Sequence, residues 1–178
     1  MSKKTSTQVK YLTVSAMLCA LGVIVLGLGA VIEVIDLTVA VIASLLTVYA
    51  IIEMGGAYPW LIWAVTSIIA LLFLPLKTPV LFYALLTGYY PIIKQKIERR
   101  FARIPAWSIK FGVLAVSIGI IWGTAQLFLP DLMESPNGWI AIVAALVLAV
   151  LAFVLYDICL TRLITLYFVR WQKRFRIK

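Results

Sequence analysis

The sequence predicts an all-α integral membrane protein, with six transmembrane helices in a compact bundle. Three observations lead there. The chain of 178 residues is 64% hydrophobic with a mean hydropathy of +1.08, which leaves too little polar surface to cover a core in water. Its apolar residues come in stretches near the about 20 residues a helix needs to cross a bilayer. Of its 16 Lys and Arg residues, all but Lys77 fall at stretch ends that an even number of crossings would bring to one side. Such bias marks cytoplasmic ends. Helices are the expected spans because an open sheet edge cannot be satisfied in lipid.

The first span is expected at about 11–32, after Lys3, Lys4 and Lys10. It begins like a signal peptide but is long and lacks a clear small-x-small cleavage site, so it reads as a retained helix. Glu33 and Asp36 mark a short external turn. The second span covers about 37–52, and Glu53-Met54-Gly55-Gly56 turns the chain inside. The third covers about 58–74, and Pro75 and Pro79 bracket an external loop holding Lys77. The fourth, about 80–93, is short, contains Gly88 and Pro91, and is expected to continue as a basic segment from Lys94 to Arg103 that Ile104-Pro105 ends. The fifth covers about 106–129. Residues 130–137 form the longest external loop, with Asp131 and Glu134. The sixth covers about 138–160, and the basic, aromatic-rich tail 161–178 reads as an amphipathic helix at the interface. The chain is thus one transmembrane domain, 1–178, in the cell (plasma) membrane, multi-pass, with both termini cytoplasmic.

The net charge of +9 needs no nucleic-acid partner, since anionic lipid headgroups attract basic cytoplasmic ends. There is no His, and the two Cys, Cys19 and Cys159, stand apart inside apolar stretches. A Ser-His-Asp triad is therefore ruled out, the usual zinc ligands are missing, and no phosphate-cradling GxxxxGK[ST] pattern occurs. The expectation is a protein that is not an enzyme and holds no cofactor or metal.

Small residues give the first candidate surfaces. Ala16 and Ala20 lie four apart on one face of the first helix, and Gly27 extends that face. Small side chains there admit another helix closely, from within the bundle or from a partner. Gly112, Ala115, Gly119 and Gly123 make a longer stripe on the fifth helix, with Gln126 continuing it. Gln126 either closes a helix contact by a hydrogen bond or faces an externally open cavity with Trp122 beside it. On the outer side Lys77 is the one cation among Glu33, Asp36, Asp131, Glu134 and Asn137, with Tyr83 and Trp139 nearby. It can anchor an anionic ligand or form a loop ion pair. Candidate ligand-binding residues are therefore Lys77, Tyr83, Trp122, Gln126 and Asn137. Asp157, near the inner end of the sixth helix, can pair with Lys110 or Arg162, as a structural ion pair or in ion coupling.

In layout, and in the AxxxA of Ser15-Ala16-Met17-Leu18-Cys19-Ala20, the chain resembles the substrate-binding (S) components of energy-coupling factor (ECF) transporters. It also resembles a group of uncharacterised bacterial membrane proteins of S-component-like character. The residues concerned are Pro75-Leu76-Lys77-Thr78, Gly88-Tyr89-Tyr90-Pro91 and Tyr156-Asp157, with Leu76 and Thr78 where that group carries acidic residues. The resemblance implies an S-component-like bundle that captures a small solute from outside. It also implies docking to a T subunit through Ala16 and Ala20, with paired ATPases driving transport. The alternative is a stand-alone membrane scaffold, assembly or lipid-handling protein with no solute transport.

Overall fold

A computed structural model describes residues 2–31, 35–100, 103–128 and 138–167, and all of its elements there are helical. In chain order these are α1 (Ser2–Val31), α2 (Asp36–Glu53), α3 (Tyr58–Phe73), α4 (Thr78–Phe82), a π-helical turn (Tyr83–Thr87), α5 (Tyr90–Arg100), α6 (Arg103–Phe128) and α7 (Gly138–Leu166). They form two compact units, one holding α1 to α5 and the other α6 and α7.

Among the described residues three helical stretches are long and apolar enough to cross a membrane: Thr7–Gly29, Asp36–Glu53 and Leu146–Leu166. Tyr58–Phe73 and Trp107–Ile120 are apolar but shorter. α1 exposes Leu12, Met17, Leu21, Ile24 and Leu28, and α7 exposes Leu146, Val147, Leu148, Leu151 and Leu155. Apolar surface so continuous is unfavourable in water and is compatible with a protein that faces lipid.

Local chemistry sets the element boundaries in the first unit. The α2–α3 turn uses Gly55 and Gly56 at φ 61° and 60°, a left-handed backbone that costs a residue without Cβ little. Pro59 stands in the first turn of α3, where its missing N–H costs nothing. α3 ends at Leu74, whose extended backbone (ψ 136°) is the one the following Pro75 favours. Close helix approach depends on Gly22, where a Cβ would lie 2.9 Å from Thr66 Cγ2. The core joins Leu26, Val39, Ala40, Ala43, Ala70, Val80 and Tyr83, with a second cluster of Leu18, Cys19, Ala50 and Ile62.

Several boundaries differ from the sequence expectation. α1 starts nine residues earlier, at Ser2 rather than Tyr11, because the polar segment continues the helix. The expected fourth span, 80–93, is three pieces rather than one helix. Gly88 N–H donates to Tyr83 O at 2.7 Å, five residues back, which widens the turn. Ile104-Pro105 does not close the basic segment: α5 ends at Arg100, and Pro105 falls in the first turn of α6, where proline is tolerated. α7 runs to Leu166, so the start of the expected interfacial tail continues the sixth helix. Residues 168–178 of that tail lie outside the described residues, as do Glu33 and the whole 129–137 loop with Asp131, Glu134 and Asn137.

Candidate functional site

Ala16 and Ala20 lie exposed on α1 and line an apolar groove between α1 and α3. Its volume is about 610 Å³. Leu12, Val23 and Ile24 extend the α1 side, while Leu61, Val65 and Ile69 form the α3 side. Methyl groups at positions 16 and 20 leave space that larger side chains would fill, and exposed Leu12, Ile24 and Leu61 flank it. The groove thus offers a shaped apolar surface on which helix backbones can approach closely.

The buried polar groups around the π-helical turn are neutral. Tyr83 is 1% exposed, and its hydroxyl hydrogen-bonds Thr47 Oγ1 at 3.1 Å. Thr87 Oγ1 donates to Ala40 O at 3.0 Å, and Trp63 Nε1 donates to Ala84 O at 3.2 Å. These bonds tie both ends and the middle of the π-helical turn to α2 and α3. Gly88 suits the close packing there, since a Cβ would meet Trp63 Cδ1 at 2.6 Å and Tyr83 O at 2.7 Å unless its neighbours shifted. Helix irregularities of this kind recur at functional sites, and here the Trp63 indole donates to the carbonyl of Ala84 within it.

Lys77 is exposed, but its ammonium donates to the carbonyls of Leu71 at 2.6 Å and Leu74 at 2.5 Å. It therefore satisfies carbonyls that the end of α3 leaves without helical partners. Of the five candidate ligand residues, Lys77 and Tyr83 belong to the first unit and each holds an internal contact. Trp122 and Gln126 fall on α6, and their side chains lie outside the described residues, as Asn137 does entirely.

In the second unit Lys110 Nζ meets Asp157 at 3.0 and 3.2 Å, with both side chains almost fully buried. The ammonium also stands 5.2 Å from the Trp107 ring centroid. Pairing neutralises two charges that would each be costly in an apolar setting. The glycines of the α6 stripe are open: a Cβ on Gly112, Gly119 or Gly123 would find nothing within 4 Å, and Ala115 is exposed. The close helix contact that their spacing allows is not made among the described residues. No group of three metal-ligating side chains occurs among the described residues.

These features define an all-helical protein with membrane-compatible helices, an apolar groove beside an AxxxA pair, and a buried ion pair. No family model matches the chain, and comparison with curated proteins and with solved structures gives no match.

Proposed function

We propose that the chain is a multi-pass membrane subunit that docks a partner's transmembrane helix on the α1–α3 groove, as an S component docks its T subunit. The observation that supports this is the exposure of Ala16 and Ala20 on the wall of an apolar groove. Without a hydrophobic driving force inside lipid, helices associate through close backbone approach, which small residues permit. In this proposal the basic ends lie at the cytoplasmic face, and the partner carries the paired ATPases. The chain supplies capture of a small solute from the outer side. Its own residues offer no nucleotide-binding loop, so ATP hydrolysis belongs to the partners.

Purification of the tagged protein from membranes of its native host tests this. The expected result is a stoichiometric complex with a multi-span subunit, carrying ATPase activity and supporting uptake of a solute. A protein that purifies in stable complex only with a non-transport partner would support the scaffold alternative, which the open glycine stripe of α6 also suits.

A further inference from the structure

At the end of the first unit where α3 begins, aromatic rings form a ladder. Trp60 meets Trp63 edge-on, with centroids 5.6 Å apart, and Trp63 meets Tyr89 at 6.0 Å. The Trp63 indole is itself fixed by its bond to Ala84 O. On the outer rung of this ladder stands Lys96, with its ammonium 5.3 Å from the Trp60 ring centroid. The two described lysines of α5 are used differently. Lys94 is 2% exposed and bound to Glu98 at 3.3 Å. Lys96 is exposed and has no carboxylate partner among the described residues. Glu98 lies two positions from Lys96, on the other side of the helix, whereas exposed Arg100 lies four on and shares the face of Lys96. Lys96 and Arg100 are both exposed, so this side of α5 carries its charge outward. Lys10 is exposed at the same end, next to Tyr11, whose ring meets that of Tyr58 at 5.5 Å.

We infer that Trp60, Lys96 and Arg100 form a binding site for the anionic phosphodiester headgroup of a membrane lipid. Indole rings and lysines are the side chains that settle at the headgroup level, one end apolar and the other wet. The Trp60 ring fixes the ammonium in place before the lipid arrives, so little ordering remains to oppose binding. Arg100, one turn on, supplies a forked donor suited to phosphate oxygens. An anion completes a cation that now rests only on an aromatic face, while a zwitterionic choline headgroup brings its own cation and competes with Lys96. The site requires that the chain lie in a bilayer. It does not require that α1 dock a partner, so either proposal can fail alone.

Native mass spectrometry of the full-length protein, released from nanodiscs of mixed phosphatidylglycerol and phosphatidylcholine, tests the site. The wild type is expected to retain phosphatidylglycerol in preference to phosphatidylcholine. K96Q is expected to lower that retention about fivefold, the factor one cation near an anionic surface carries. K96R should keep it, and K77Q, at the opposite end of α3, should leave it unchanged. W60L should weaken retention as K96Q does. Equal retention of the two lipids by the wild type, or wild-type retention in K96Q, would overturn the inference. Displacement of the lipid by inorganic phosphate would overturn it too, by showing a site for the free anion.

Discussion

The widened turn of the first unit and the ion pair of the second hold polar groups among apolar helices in different ways. Around the widened turn of the first, polarity is neutral and shared, through hydrogen bonds of Thr47, Tyr83, Thr87 and Trp63, and the buried Lys94 of that unit pairs with a partly exposed Glu98. In the second, polarity is concentrated in one pair of full charges, Lys110 and Asp157. A distributed neutral network loses little when one member is removed. A buried ion pair loses much, because the surviving charge has nothing to offset its burial.

The largest expected effect therefore comes from breaking the pair on one side. D157N or K110M should each destabilise the protein by about 3–5 kcal/mol, read as earlier unfolding in a mixed-micelle titration. The double variant K110M/D157M should recover most of that loss. Three variants of equal stability would show that the charges reach water and would remove the contrast between the units. Next comes G88A in the first unit. Its methyl would crowd both Trp63 and the Tyr83 carbonyl, and overpacking of this kind costs about 1–3 kcal/mol. The smallest effect belongs to Y83F, which removes the bond to Thr47. A cost of about 0.6–1 kcal/mol is expected in the same titration, and a cost near that of D157N would mean that the neutral network is not distributed.

Much of the architecture was legible in the sequence because punctuation there is chemical. Pro75 ends α3 by restricting Leu74, and Gly55-Gly56 makes the turn after α2. Asp157 stood out as a charge inside an apolar stretch, and Lys110 was one of two cations able to reach it. The widened turn was not legible, since a single shift in hydrogen-bond partner leaves no mark on hydropathy. Gly88 and Pro91 marked only a short span there. The use of Lys77 was hidden for a related reason. Charge pattern marks it as the odd cation, while the carbonyls it satisfies belong to residues three and six positions earlier and have no side-chain signature. Spacing alone also made Ala16 and Ala20 equivalent to the α6 stripe. Only the fold separates them, by setting the alanines on a groove and leaving the glycines open.

That separation leads to the most direct test of partner docking. ATPase activity that co-purifies with the tagged protein from native membranes can be compared between A16L/A20L and A115L/G119L, with each variant's monomer fold checked by circular dichroism. Leucine at positions 16 and 20 fills the groove, so co-purifying activity is expected to fall at least tenfold, while the α6 variant keeps it. Activity retained by A16L/A20L and lost by A115L/G119L, or co-purification of no ATPase by the wild type, would contradict docking on the α1–α3 face.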